Sequence, residues 1–318
     1  MSARPYTFAA VAGSFGGRFE RSFARVSSAI ESARDGGASM VVLPECALGG
    51  YLTVDGRHGR PLELDGPELA RLCAVAGDTV VCVGFTERGG RFGRPYSSAV
   101  CLSGDGILGH QRKVHLPPSE IGAFSAGEGF AAFDTPVGRL GMLVCYDKVF
   151  PEAARTLALD GAETIASLSA WPLDRRSPAR RIAADRQTRH FNLLDEARAL
   201  ENQVVWISSN LTGRIGPLRF PGQAKVVDPD GNVLAQTGGR PGTATAEVAL
   251  GPAIAASRAA ISHLDDRARA AYRIDRPAPA PPAAEPARAP VSRRATVELP
   301  APGAAAGRLP GAPAPGLA

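Results

Sequence analysis

Apolar residues recur along this chain with two different periods, and the alternation between them is the first structural signal. Tyr6-Thr-Phe-Ala-Ala-Val-Ala12 is a nearly continuous apolar run of strand length. Phe19, Phe23, Val26, Ile30 and Ala33 then recur at helical spacing until Gly36-Gly37 stops the helix. Ser39–Leu43 predicts a second strand, Pro67 opens a second helix, and Thr79–Thr86 and Ser97–Leu102 predict two more strands. A Gly104-Asp105-Gly106 turn leads into a strand ending near Lys113. Beyond it the pattern predicts a strand Arg139–Val144, a helix from Pro151, a strand Glu163–Leu168, a long helix over about 179–202 and a strand Val204–Ser208. A hairpin, Ala224–Asp228 and Asn232–Thr237 about Pro229-Asp230-Gly231, and a strand near Ala244–Leu250 complete the series. Some strands are joined by helices and others by short turns, so the expected class is α/β with mixed sheets.

The periodicity stops near residue 275. Residues 276–318 hold 11 Pro and 14 Ala with no aromatic residue, too little surface to offset the entropy of ordering them. The expected organisation is a folded domain over 1–275 and a disordered or extended tail over 276–318. A domain of that size buries about three quarters of its unfolded surface, so stapling by disulfides or metal is unnecessary. The five cysteines (46, 73, 82, 101 and 145) are odd in number and lack CxxC spacing, which argues against a disulfide framework. Five Arg and two Glu in the tail account for +3 of the net charge of +5, leaving +2 for the domain. No basic stripe interleaved with aromatics appears, so a nucleic-acid partner is not expected. No apolar run of about 18 residues occurs, and the first twenty residues lack a signal peptide's apolar stretch. The expectation is a cytoplasmic protein without a membrane partner.

Three strand ends carry groups capable of chemistry. Cys145 closes Leu140-Gly-Met-Leu-Val-Cys145 and is followed by Pro151-Glu152, residues suited to a helix's first turn. A thiol at such a corner sits beside backbone N–H groups that can face an oxyanion; taken alone it is equally a buried structural cysteine, the reading that fits Cys73, Cys82 and Cys101. None of the five histidines has a context that marks it as the thiol's base. Glu45 ends Met40-Val-Val-Leu-Pro44, where open α/β sheets place their ligands; a solvated carboxylate is the alternative. Lys113 ends the strand before Leu116-Pro117 and is one of only three lysines, with Lys148 and Lys225, in an arginine-rich chain; a solvated basic turn is its alternative.

Together these contexts resemble the signature segments of the nitrilase (carbon-nitrogen hydrolase) superfamily: Leu43-Pro-Glu45 with Gly49-Gly50-Tyr51, then Arg112-Lys113-Val-His-Leu-Pro117, then Gly141-Met-Leu-Val-Cys145-Tyr-Asp-Lys-Val-Phe-Pro-Glu152. Glu120 with Phe124 and Gly127, Ser169-Ala-Trp171-Pro, Asn210 and Asp228-Pro-Asp-Gly231 fall in family order, over about residues 6–275. The resemblance implies a two-sheet α-β-β-α sandwich, a homodimer or larger homo-oligomer, and no cofactor or metal. It further implies Glu45 as general base, Cys145 as nucleophile, Lys113 as the cation stabilising the tetrahedral intermediate together with the Tyr146 N–H, and Glu120 as a second active-site glutamate. Tyr146-Asp147 in place of Trp-Glu is similar to the amidase and carbamoylase branches, whose substrates are small linear amides or N-carbamoyl compounds. Lys148 stands where some carbamoyl-amino-acid hydrolases carry an arginine for the substrate carboxylate, and Trp171 and Tyr51 are further candidates for contact with substrate. Val149 replaces the Arg of the omega-amidase-like pattern, which argues against a dicarboxylate monoamide. Helix-start solvation for Lys148 and core packing for Trp171 remain open. The six arginines between Asp174 and His190 are read as a self-paired helix face, with Asp185 at i,i+4 from Arg181 and Arg189. A catalytically inactive scaffold subunit and an amine-accepting acyltransferase are the alternatives to a hydrolase.

Overall fold

The computed structural model describes residues 5–16, 18–51, 60–174, 176–177 and 179–274. The tail expected over 276–318 and His58 lie outside the described residues. One compact unit runs to Arg267; of the second, which begins at Ala268, the described residues form a single 3-10 turn at Arg269–Ala271.

Strand β1 (Tyr6–Gly13) shows why the chain forms layers. Phe8, Ala10 and Ala12 join one core cluster, with Met142, Leu168 and Ile207, while Ala9 and Val11 join another with Val26 and Ile30 of helix α1 (Phe19–Asp35). Successive strand residues point to opposite faces, so a strand covered on both reads as an unbroken apolar run. Strand β2 (Met40–Val42), helix α2 (Pro67–Ala76) and strands β3 (Val80–Glu87), β4 (Tyr96–Ser103) and β5 (Gly106–Arg112) complete the first half. β1, β2 and β3 run parallel, with Ala9 opposite Val41 and Val41 opposite Val81, and β4 and β5 add antiparallel. Ile30 of α1 and Leu72 of α2, both fully buried, pack on Val41 and Val81; each such side chain contributes about 1.5–3 kcal/mol by leaving water.

The second half is built from β6 (Phe133–Thr135), β7 (Gly138–Val144), α3 (Pro151–Leu159), β8 (Thr164–Ser169), α4 (Arg186–Asn202) and β9 (Val205–Ile215). β7, β8 and β9 are parallel, and their outer residues Leu143, Ile165 and Trp206 pack beneath Leu157 of α3 and Ala199 of α4. β10 (Leu218–Pro221) and β11 (Lys225–Val227) add to β9, and β12 (Val233–Gln236) adds to β11. β13 (Gly242–Val248) returns to pair antiparallel with β1 before α5 (Leu250–Arg258). Among the described residues the ladders of the two sheets join where Ala12 and Gly13 pair with Asn210 and Leu211, and the sheets face one another through the shared core. The result is the expected α-β-β-α sandwich, with the C-terminal ends of β2, β7 and β8 converging.

Two local expectations are corrected, and two elements appear that the pattern does not predict. Helix α4 begins at Arg186, not near 179, because Asp185 is its N-cap: its carboxylate accepts the Gln187 N–H at 2.9 Å, and those of Asp174 and Ala179 at 3.2 and 3.1 Å. The expected i,i+4 pairs of Asp185 with Arg181 and Arg189 therefore do not form. The β9–β10 hairpin turning at Gly216-Pro217 was not expected, nor was α5. Gly251-Pro252 reads as a helix breaker, yet Pro252 lies in the first turn, where its missing N–H has no intrahelical partner to lose.

Candidate active site

Glu45 follows β2 through Leu43-Pro44, and its position depends on a glycine. A Cβ at Gly84 of β3 would lie 2.5 Å from the Glu45 Cα, so the two segments touch at a distance only glycine permits. Gly84 N–H donates to the Pro44 carbonyl at 3.2 Å and Leu48 N–H to that of Gly84 at 3.0 Å. The Glu45 carboxylate is fully buried and takes three donors: Ser97 Oγ at 2.9 Å and Lys113 Nζ at 2.8 Å on Oε1, and Ala170 N–H at 2.9 Å on Oε2.

Lys113 is the first residue beyond β5. Its N–H donates to the Ser97 carbonyl and its own carbonyl accepts from Gly127 N–H, each at 2.8 Å. Nζ reaches both oxygens of Glu120, at 2.9 and 2.8 Å. Burial works to strip the Lys113 proton, but the charges of Glu45 and Glu120 outweigh it and hold its pKa well above the ordinary lysine value. Glu120 is fixed by its own N–H on the Pro117 carbonyl and by Tyr51 Oη, which donates to Oε1 at 3.2 Å. Burial raises the Glu120 pKa, with Lys113 pulling it back and Glu45 pushing it further up.

Cys145 lies where β7 ends. Its φ is +50°, in the left-handed region, and it opens a single 3-10 turn through Val149. Such a conformation costs a non-glycine residue about 1–2 kcal/mol, so the surroundings must hold it. Part of the hold is Asp147, whose Oδ2 accepts the Val144 N–H at 3.2 Å. Burial pushes the Cys145 thiol well above the usual range and Glu45 adds to this, while Lys113 and an Ala170 backbone hydrogen bond offset only part. The balance favours the thiol over the thiolate. Tyr146, next in the turn, presents one of the N–H groups that a helix start leaves without a partner.

Cys145, Tyr146, Glu120, Tyr51 and Trp171 share the wall of a cavity of about 380 Å³ with Asp174, Arg176, Arg186 and Gln187. Trp171 is set by its N–H on Asn210 Oδ1 at 2.8 Å and its indole N–H on Gln187 Oε1 at 3.0 Å. The structure thus joins Glu45, Lys113 and Glu120 by direct hydrogen bonds and places Cys145, Tyr146, Tyr51 and Trp171 on one cavity. Lys148 is not brought there. Its ammonium is fully buried on Asp195 Oδ1 at 2.8 Å and over the Phe191 ring at 3.2 Å, because a buried cation must be paired; the expected contact with a substrate carboxylate is corrected accordingly. Sequence reasoning missed Ser97, the Ala170 N–H and Gln187. The one signal for Ser97 was a pair of polar residues, Ser97-Ser98, heading an otherwise apolar strand. Arg186, expected on a solvated helix face, lines the cavity and is paired with Asp174 at 2.7 Å. Among the described residues no three His, Cys, Asp or Glu side chains converge as metal ligands do. No described helix is long and apolar enough to cross a membrane.

These residues stand in the order and the fold of one family. The profile of the carbon-nitrogen hydrolase family matches residues 9–258, and the chain belongs to that family. It is 32% identical over 221 residues to a nitrilase of Pyrococcus abyssi, covering 68% of this chain and 78% of that one. It is 34% identical over 213 residues to an (R)-stereoselective amidase of a Pseudomonas species, covering 64% and 70%. The crystal structure of a carbon-nitrogen hydrolase from Helicobacter pylori superposes with a TM-score of 0.72 at 25% identity, covering 85% of this chain and 97% of that one.

Proposed function

We propose that the protein is a thiol-dependent amidase that cleaves a small linear amide or N-carbamoyl compound through a thioester on Cys145. The observation that carries this reading is a buried thiol sharing one cavity wall with Glu120, whose partner Lys113 also holds Glu45 at 2.8 Å. Glu45 takes the thiol proton as Sγ bonds to the substrate carbonyl carbon. Lys113 and the Tyr146 N–H stabilise the oxyanion, in a site where no solvent must reorganise to do so. As the C–N bond breaks, Glu45 returns its proton to the leaving nitrogen, and ammonia or an amine departs. A water molecule, giving its proton to Glu45, then attacks the thioester, and the free acid leaves as the thiol is re-formed. Glu120 keeps Lys113 charged and oriented. Tyr146-Asp147 after the cysteine, in place of the Trp-Glu usual in nitrilases, supports an amide substrate over a nitrile.

The test is ammonia release from a panel of small amides and N-carbamoyl compounds by wild type and Cys145→Ala. Loss of the nucleophile is expected to lower kcat by about 10⁴-fold or more, with a thioester adduct detectable by mass on the wild-type chain alone. Turnover that survives the substitution would sink the proposal.

A further inference from the structure

Cys145 and Lys113 come from opposite sheets, and the strands they end, β7 and β5, do not pair with one another. β5 and β7 lie near opposite ends of the strand order, five strands of one half and then β9, β8 and β7 of the other. The geometry of Cys145 relative to the cation is therefore set by something other than the ladder. Every hydrogen bond described between residues 113–117 and 144–150 ends on Asp147. Oδ1 accepts the His115 N–H at 2.8 Å and lies 2.9 Å from His115 Nδ1; Oδ2 accepts the Val144 N–H at 3.2 Å and the Val114 N–H at 3.4 Å. Asp147 is fully buried. The His115 ring it holds lies flat on Phe150, centroids 3.7 Å apart and planes 15° apart, so the clasp continues into an aromatic stack across the same two segments.

We infer that Asp147 is a positioning residue: its carboxylate fixes the left-handed Cys145 turn against the segment that carries Lys113, and the stacked His115 ring assists it. Asp147 touches no reacting atom. It acts through the backbone of Val144 on one side and of Val114 and His115 on the other. A neutral amide cannot replace it, because an isosteric asparagine would turn one of the two acceptor oxygens into a donor facing N–H groups. The inference builds on the amidase reading only for its kinetic arm.

The test compares Asp147→Asn, Asp147→Glu and His115→Phe with wild type for melting temperature, for kcat and KM on the best amide, and for the rate at which iodoacetamide alkylates Cys145. In Asp147→Asn, kcat is expected to fall roughly a hundredfold, as misplacement by about 1 Å costs, with KM within about threefold and alkylation slowed about tenfold. Asp147→Glu, which keeps the carboxylate, should regain about tenfold of that kcat, and His115→Phe, which keeps the stack, should lose no more than about fivefold. An Asp147→Asn protein that melts lower yet turns over and alkylates within about twofold of wild type shows a merely structural role and overturns the inference. If Asp147→Asn does not fold, unchanged alkylation and kcat in both other variants overturn it equally. If wild type releases no ammonia from any substrate, the amidase reading fails, and the alkylation rates decide this inference by themselves.

Discussion

Two fully buried lysines in this protein carry opposite charge surroundings. Lys113 is shared by two carboxyl groups, Glu45 and Glu120, whereas Lys148 shares one, Asp195, with a second buried lysine, Lys225, at 2.7 Å from the other oxygen. Burial is the same and works against the ammonium in both. With two carboxylates to one cation, Lys113 is held above the ordinary lysine value; with two cations to one carboxylate, burial and the Lys225 charge bring Lys148 down to about 8. The ratio of neighbours, not depth, decides the sign. The carboxylate-rich cluster borders the cavity through Glu120. The cation-rich one is closed off by aromatic faces, with Phe191 3.2 Å from Lys148 Nζ and 4.6 Å from Lys225 Nζ, and by the Trp206 indole N–H on Asp195 at 3.0 Å. On the proposed reading one cluster serves the chemistry, while the other holds α4 to β11 and to the turn that follows Cys145.

Removing the central charge from each cluster should separate these roles most sharply. Lys113→Met is expected to lower kcat by about 10³-fold, the scale for a lost oxyanion donor. Its cost in stability is smaller than that loss suggests, because a buried carboxyl can take up a proton when its cation goes. Asp195→Asn should do the reverse: about 3 kcal/mol or more of unfolding free energy lost, because two ammonium groups are left without a counter-charge, and kcat per folded molecule changed by no more than about fivefold. Urea unfolding and steady-state kinetics on both variants check this. An Asp195→Asn enzyme that is folded and as inactive as Lys113→Met would erase the distinction between the clusters.

The next expected effect is on the pH dependence of stability. Folded Lys148 gives up its proton near 8, against 10.5 for an ordinary lysine. Between these values the unfolded chain binds a proton that the folded chain has released, so this group's contribution to stability rises with pH, by something on the order of 3 kcal/mol across the window. Lys113 has the opposite sign: its contribution is complete below 10.5 and is lost only as pH climbs towards its raised folded value. Unfolding free energies of wild type and Lys148→Met, followed from pH 7 to 10, should therefore diverge in favour of wild type. A difference that stays flat over that range means Lys148 does not titrate there.

The same contrast marks how far the sequence could be read. Glu45 and Cys145 each end an apolar strand and Lys113 ends a more polar one that starts at a glycine turn, and local pattern reports strand ends well, so all three carry a structural place in the sequence itself. Lys148 also follows a strand end, and nothing near it in the chain shows that its partner is Asp195, midway along α4. Pairing across layers is a property of how layers stack, which period alone does not encode. Ser97 on Glu45 and Gln187 on Trp171 escaped for the same reason. The start of α4 is a different failure: Asp185 suits a helix interior pair and an N-cap equally by spacing. Only its neighbours Asp174 and Ala179, folded back onto its carboxylate, decide between them.

The smallest effect belongs to the edge of the carboxylate-rich cluster. Tyr51 Oη donates to Glu120 at 3.2 Å, and this bond, with Lys113, restrains a Glu120 pKa that burial has raised. Tyr51→Phe keeps the ring, which packs edge-on against Phe220 at 5.9 Å, and removes only the donor. A hydrogen bond to a charged acceptor contributes about 1.5–3 kcal/mol when well formed, and this long one should fall at or below that range, so kcat is expected to drop about threefold to tenfold. The direction of the accompanying shift is more diagnostic than its size. Without the donor the protonated form of Glu120 gains, so Lys113 loses a counter-charge at a higher pH and the acid limb of kcat/KM moves upward. An acid limb that stays in place while kcat falls would assign Tyr51 to substrate contact rather than to the charge balance around Lys113.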